Sequence, residues 1–199
     1  MRIGFPLWGK LSAKLTDEGY IMTAWKTRGL RGSELEDLIN RTNEEYREKG
    51  LALIQKIPTP ITPVEFDKDS RTIRLAYFDQ KSTVDYIGAV QGIPVCFDAK
   101  ECAVDTFTLR NIHEHQVKFM KDFEAQGGVA FFLIHYTGRD LFYYLSFRSL
   151  YEFWKRWENG GRRSFRFEET DERYFIKLTA GMYLPYLEAL QTDLDDRDI

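Results

Sequence analysis

The sequence predicts an α/β fold in which helices cover both faces of a central sheet. Residues 129–136 are an almost continuous apolar run, bounded by Gly127-Gly128 on one side and by the turn at Thr137-Gly138 on the other. A strand without polar alternation is typical of a sheet that is covered on both faces. Residues 109–126, immediately before it, repeat apolar side chains at helical spacing. Helical and strand-like segments alternate in this way along the chain.

The composition indicates one folded domain. The chain has 199 residues, of which 15% are aromatic, and this length supports a single well-formed core. No run of about eighteen apolar residues occurs, so we expect no membrane span. The first residues lack a signal-peptide pattern, and Cys96 and Cys102 lie too far apart on one predicted strand to form a disulfide. We therefore expect reduced thiols and a cytoplasmic protein.

The net charge of −3 argues mildly against a polyanionic partner, but the acidic residues are concentrated. They cluster at residues 168–172 and in a predicted acidic tail at residues 192–199. The rest of the chain is nearly neutral or basic. The loop at residues 160–164 contains Arg162 and Arg163, and it suits phosphate contact if it lies beside the site. The alternative is an ordinary solvated loop.

An irregular N-terminal arm is predicted at residues 1–27, before a single domain at residues 28–191. The domain's first helix follows Ser33, and Glu36 stands three residues later in a capping-box arrangement. Gly50 ends this helix. Two roles for Glu36 stay open, because it either caps the helix or approaches a carboxylate cluster from it.

Prolines interrupt the chain after the next short strand, at residues 51–57. Pro58, Pro60 and Pro63 oppose both helix and central strand, so residues 58–81 are predicted as an excursion that projects from the body as a hairpin. An ordinary surface hairpin is the alternative. Later segments predict strands at residues 140–145 and 173–178, and helices at residues 149–158 and 184–190.

The strongest functional signal lies at residues 83–102, which predict two strands joined by a turn at Gln91-Gly92. Asp85 precedes the first strand. Asp98 and Lys100 lie on the second and, being two residues apart, point to the same face. Charged groups gathered on one face of a sheet are costly unless an ion offsets them, and a divalent cation would do so.

Magnesium prefers hard oxygen ligands, which Asp85, Asp98 and Thr83 can supply. Gln116 is a polar amide in the apolar stripe of the helix at residues 109–126. Either it is a core glutamine bonded to backbone, or its carbonyl oxygen faces the metal. Lys100 cannot ligate while protonated, but it can orient a water nucleophile or stabilise negative charge on a phosphoryl group. The set fits hydrolysis of a phosphodiester.

Several short motifs accompany the charged residues, and they lie between residues 28 and 116. They are Arg28-Gly29, Asn40 with Thr42-Asn43, Pro58-Thr59-Pro60, Ala76-Tyr77-Phe78, Ser82-Thr83-Val84-Asp85-Tyr86, Phe97-Asp98-Ala99-Lys100-Glu101 and His113-Glu114-His115-Gln116. A helix with a Glu, then an Asp, then Asp-x-Lys resembles the order of the PD-(D/E)xK nuclease superfamily. Together the motifs resemble the RecU family of Holliday-junction resolvases within it.

The resemblance implies a restriction-endonuclease-like mixed central sheet flanked by helices, with residues 58–81 as a stalk that enters the junction centre. It implies a homodimer that cuts four-way DNA junctions by paired symmetric nicks, using Mg²⁺ with Mn²⁺ as a substitute. The implied metal ligands are Thr83, Asp85, Asp98 and Gln116, and the catalytic residues are Asp85, Asp98, Lys100 and Glu36. The DNA-binding residues would be Arg28, Arg31, Lys68, Arg71, Arg74 and Lys81.

One position departs from the family pattern, because Asp98 stands where the family usually has Glu. The shorter side chain would draw a metal towards the strand or require a bridging water. Two alternatives remain beside the resolvase. The chain could be a nuclease of the same fold that acts on other DNA forms, or a non-catalytic DNA-binding protein whose site has decayed.

Overall fold

A computed structural model describes residues 34–58, 60–78, 83–178 and 183–197. The predicted N-terminal arm lies outside the described residues, and so does the proposed cap Ser33. In chain order the elements are α1 (Glu34–Glu48), β1 (Leu53–Lys56), β2 (Ile61–Asp67), β3 (Thr72–Phe78), β4 (Tyr86–Val90), β5 (Ile93–Cys102), β6 (Thr106–Thr108), α2 (Glu114–Ala125), β7 (Val129–Tyr136), β8 (Leu141–Ser146), α3 (Phe147–Glu158), β9 (Ser164–Arg166), β10 (Phe175–Ile176) and α4 (Leu187–Arg197).

The predicted α/β fold is confirmed by a six-stranded mixed sheet flanked by helices. Its spatial order is β1-β4-β5-β7-β8-β10. Strands β5 and β7 run parallel, and the other neighbouring pairs are antiparallel. Every residue of β7 is buried, as its apolar run predicts for a strand covered on both faces. None of the helices in the described residues has the length and apolar character needed to cross a membrane.

Alternation along β5 divides its side chains between the two faces of the sheet. Phe97 lies on the face covered by α1 and α4, where it stacks on Tyr86 and on Phe131 and contacts Tyr186. Asp98 therefore lies on the other face, which α2 and α3 cover, and a hydrogen bond joins it to α2. The aromatic core thus occupies one side of β5, and the charged residues occupy the opposite side.

The hairpin of β4 and β5 fixes the register of the predicted site. Gln91 and Gly92 form its two-residue turn with φ of 47° and 89°, as a type I′ turn requires. Tyr86 then pairs with Phe97. One further step along this register brings Asp85 opposite Asp98.

Strands β2 and β3 form a separate two-stranded sheet, in agreement with the predicted hairpin. Most of its side chains are exposed, including Val64, Leu75 and Tyr77. At its tip Asp67 Oδ1 accepts hydrogen bonds from the backbone N–H groups of Asp69 and Ser70. These bonds hold the pKa of Asp67 below its usual range and stabilise the turn.

Two predicted elements differ from the structure. The helix expected at residues 109–126 is a 3₁₀ turn at Leu109–Asn111 followed by α2, because His113 adopts an extended backbone and starts a new helix. The strand expected at residues 173–178 is reduced to β10, because a 3₁₀ turn occupies Glu172–Tyr174.

The predicted acidic tail is also wrong for the residues that the structure describes, because α4 continues to Arg197. Asp193 is buried and accepts hydrogen bonds from the Tyr144 hydroxyl and from Arg197. Arg197 also donates to Glu124 of α2. These pairings neutralise the carboxylates and allow the acidic segment to pack as a helix.

Candidate functional site

Asp85 and Asp98 lie beside each other at the end of the β4–β5 hairpin. Asp85 Oδ2 accepts a hydrogen bond of 3.1 Å from the backbone N–H of Ala99, the residue after Asp98. This bond holds the Asp85 side chain over β5. The two carboxylates are therefore positioned by backbone geometry, as the strand order in the sequence predicts.

Lys100 completes the charged group on the same face of β5. Its Nζ lies 2.6 Å from Asp98 Oδ1, and the Asp98 side chain is fully buried. Among the described residues this oxygen has the Lys100 ion contact but accepts no bond of hydrogen-bond geometry. The prediction that Asp98 and Lys100 point the same way is confirmed.

Gln116 reaches the same carboxylate from α2. Its Nε2 donates to Asp98 Oδ2, and its Oε1 accepts a bond of 3.1 Å from the N–H of His113 at the start of the helix. In this conformation the amide nitrogen faces the cluster and the carbonyl oxygen accepts from the backbone at the start of α2, so both interpretations of Gln116 stay predictions. A half-turn of the amide would exchange the two groups.

The pKa of Asp98 is raised to about 7, chiefly by burial and also by the neighbouring Asp85 carboxylate, while Lys100 offsets part of the rise. The raised pKa means that the buried carboxyl needs a cation to stay ionised at neutral pH. Lys100 only partly meets that need. A doubly charged ion in contact with both carboxylates would meet it fully.

The oxygens at this position fit a hard divalent cation. Asp85 and Asp98 offer carboxylates, Thr83 stands two residues before Asp85, and Gln116 offers an amide oxygen after rotation. The described residues contain no group of three or more His, Cys, Asp or Glu side chains arranged to hold a metal. The candidate set is therefore two carboxylates supported by neutral oxygens.

Glu36 lies on α1, and its Oε2 accepts a 2.8 Å hydrogen bond from Lys56 of β1. Burial raises the pKa of Tyr86, and the negative charges of Glu36, Asp85, Asp37 and Asp98 raise it further. Lys56 was missed in the sequence, because only the pairing of β1 with β4 brings it here.

The residues predicted to bind DNA fall in two groups. Lys68, Arg71 and Arg74 lie on the β2–β3 hairpin and are exposed, and Arg74 pairs with Asp67 at 2.9 Å. The other group lies outside the described residues and consists of Arg28, Arg31 and Lys81.

The sequence model of the RecU family, described as Recombination protein U, matches residues 30–192. The chain belongs to the RecU family. This confirms the resemblance inferred from the sequence motifs. Relatives named Holliday junction resolvase RecU agree with this assignment. The protein from Limosilactobacillus reuteri is 41% identical over 165 residues, covering 80% of this chain and 81% of the relative.

Two further RecU relatives are similarly close. The protein from Pediococcus pentosaceus is 38% identical over 173 residues, which cover 84% of this chain and 86% of the relative. The protein from Geobacillus sp. is 40% identical over 164 residues, which cover 80% and 81% respectively. Among solved structures, Archaeoglobus fulgidus Hjc, a Holliday junction resolvase, aligns with a TM-score of 0.30 at 8% identity, covering 56% of this chain and 74% of Hjc. A likeness at that level carries no weight for function.

Proposed function

We propose that this RecU-family chain is a divalent-metal-dependent endonuclease that resolves four-way DNA junctions by paired nicks, acting as a homodimer. The supporting observation is the convergence of Asp85, Asp98, Lys100 and Gln116 at one point of the sheet. Family membership supplies the substrate class, since the named relatives are Holliday junction resolvases. A two-fold enzyme suits a substrate that needs two coordinated cuts.

Asp85 and Asp98 would hold the metal, with Thr83 and the rotated Gln116 amide as neutral ligands. Mg²⁺ is the preferred ion, because the available donors are hard oxygens, and Mn²⁺ would substitute. When bound, such an ion polarises a phosphoryl oxygen and lowers the pKa of a bound water. Because the Asp98 side chain is short, it would hold such an ion close to β5, the strand that also carries Lys100.

Lys100 would stabilise the negative charge that develops on the phosphoryl group. Its Nζ is 2.6 Å from Asp98 Oδ1 and its side chain is 21% exposed, so it lies at the boundary between the buried carboxylate and solvent. A cation fixed there needs no reorganisation when charge develops on the substrate. Glu36 is a further catalytic candidate, and Lys56 holds its carboxylate in place.

The β2–β3 hairpin would act as the stalk that enters the junction centre. Its exposed apolar side chains, among them Val64 and Leu75, can contact unstacked bases at a branch point. Lys68 and Arg71 at the tip, with Arg74, can contact phosphates. This arrangement favours a branched substrate over an uninterrupted duplex.

The deciding experiment compares a synthetic four-way junction with a linear duplex of matched sequence, in Mg²⁺ and in EDTA. We expect symmetric nicks in opposing strands of the junction, no cutting in EDTA, and little cutting of the duplex. Equal cutting of both substrates would instead indicate a nuclease for other DNA forms.

Asp85→Asn is the matched inactive variant, because asparagine retains an oxygen that can accept from the Ala99 N–H. We expect this variant to bind the junction and to leave it uncut. Binding without cleavage by the unaltered chain, under all metal conditions, would identify a DNA-binding protein with a decayed site.

A further inference from the structure

A polar pocket lies beside the candidate site, at the start of α2. It has a volume of about 240 Å³. The lining residues come from the 3₁₀ turn before α2, from α2 itself, from the end of α3 and from the loop after it; they are Arg110, Ile112, His113, Glu114, Trp154, Trp157, Glu158 and Arg163. The loop after α3 is the basic loop noted in the sequence, and the structure brings it next to α2.

One side chain links the wall of this pocket to the buried carboxylate. Gln116 donates to Asp98 at one end of its amide and accepts from His113 at the other, and His113 lines the pocket. The Leu109 N–H also donates to the Arg163 carbonyl at 3.1 Å, which fixes the loop against the 3₁₀ turn. The pocket is therefore a fixed neighbour of the candidate site.

Two arginines of the pocket have no carboxylate partner among the described residues. Within the described residues Arg156 and Arg162 pair with Glu169, whereas neither Arg110 nor Arg163 forms an ion pair. Both are exposed. The Arg163 guanidinium lies over the Trp157 ring, 4.0 Å from its centre. Stacking orders the guanidinium plane and leaves its in-plane N–H groups available to a phosphate.

Two carboxylates also line the pocket, and each is stabilised by a group other than these two arginines. Glu158 Oε1 accepts a 3.1 Å hydrogen bond from the Trp154 indole N–H. Glu114 is the first residue of α2, where the helix dipole stabilises a negative charge. Neither forms an ion pair with the two arginines. As far as the described residues show, the guanidinium groups therefore stay available to an anion from solution.

We propose that Arg110 and the Trp157-stacked Arg163 form a phosphate clamp that holds the DNA backbone next to the cleaved bond. This proposal rests on the proposed function, because the clamp would position the DNA arm whose backbone enters the candidate site. A DNA duplex carries one phosphate charge per about 3.4 Å along each strand, so a strand lying at Asp98 has further phosphates within reach of the pocket. The partner is the sugar-phosphate backbone, read without regard to base sequence.

The test measures junction and duplex binding by the full chain in EDTA, at several salt concentrations between about 50 and 200 mM. The variants are Arg110→Gln, Arg163→Gln and the double variant that combines them. The control is Arg148→Gln, an exposed arginine in α3 beside Gly127 and Gly128, at the opposite end of α2. For a lost phosphate contact, the plot of log affinity against log salt becomes shallower by about 0.9.

We expect slopes shallower by about 0.9 for each single variant and by about 1.8 for the double variant, on both DNA forms, with an unchanged slope for Arg148→Gln. An unchanged slope in the double variant, or an equal change in the control, would overturn the clamp. The readout does not depend on cleavage. The clamp can therefore fail while the unaltered chain still cuts junctions, and it can stand if the chain only binds them.

Discussion

Lys100 Nζ lies 2.6 Å from Asp98 Oδ1, and that buried oxygen accepts no hydrogen bond within the described part of the chain. The ammonium is thus a counter-ion of the carboxylate in this structure. If Asp85 and Asp98 hold a divalent ion, that ion would also neutralise the carboxylate, and Lys100 would remain beside it to stabilise charge on the substrate. Two functions of one side chain, neutralisation and catalysis, can then be separated by experiment.

We predict that Lys100→Ala lowers junction cleavage about 10²- to 10³-fold, because it removes a fixed cation near the developing phosphoryl charge. Junction binding in EDTA should change little. The control is Lys118→Ala, an exposed lysine on α2, which should leave cleavage unaltered. Single-turnover cleavage measures the effect, and a rate within a few-fold of the unaltered chain would remove Lys100 from the mechanism.

The stability of the metal-free protein should depend on pH through Asp98. Its pKa is about 7 in the folded chain, against an ordinary value of 3.8. Between these values the folded state binds more protons than the unfolded state, so stability falls as pH rises. Asp98→Asn removes this term. We expect urea unfolding in EDTA to show a larger loss of stability from about pH 4 to pH 7 in the unaltered chain than in the variant. Parallel curves would show that the buried carboxyl titrates normally.

Gln116→Glu should make folding depend on metal. Glutamate can still accept from the His113 N–H, but it cannot donate to Asp98, and it adds a like charge beside that carboxylate. We expect a loss of about 1–3 kcal/mol in EDTA and a larger recovery with Mg²⁺ than in the unaltered chain. Thermal unfolding with and without Mg²⁺ measures this. Gln126→Glu, at the end of α2, is the control, and equal Mg²⁺ responses in both variants would contradict the metal site.

Arg197→Ala should destabilise the fold by about 3–5 kcal/mol, because it leaves the buried Asp193 carboxylate without its cation. The control is Lys49→Ala, which removes an exposed ion pair with Glu45 and should cost less than about 1 kcal/mol. Denaturant unfolding compares the two. Equally small losses of stability in the two variants would mean that solvent or another group stabilises the Asp193 carboxylate once Arg197 is removed.

The alternation of side chains along a strand was enough to predict that Asp98 and Lys100 lie on one face, because it depends only on their spacing in the sequence. The position of Asp85 also followed from sequence, since the Gln91-Gly92 turn allows one register for the hairpin. The orientation of Gln116 could not be predicted, because an amide has a donor and an acceptor that fit the same stripe position equally well.

Contacts between distant segments were the main source of error. Lys56 reaches Glu36 only because β1 pairs with β4, and no local pattern specifies that pairing. The acidic C-terminal segment is unfavourable as a packed helix unless Arg197 neutralises Asp193 and the Tyr144 hydroxyl donates a hydrogen bond to it. The number of acidic residues in this segment therefore predicted a solvated tail. In the structure the segment is a packed helix, because groups from other segments compensate its buried carboxylate.

The hydrogen bond between Arg197 and Glu124 affects how the protein should be produced for experiments. Glu124 belongs to the last turn of the helix whose first turn presents Gln116. Deleting residues 197–199 would remove that brace. Expression designs should therefore retain the chain at least as far as Arg197.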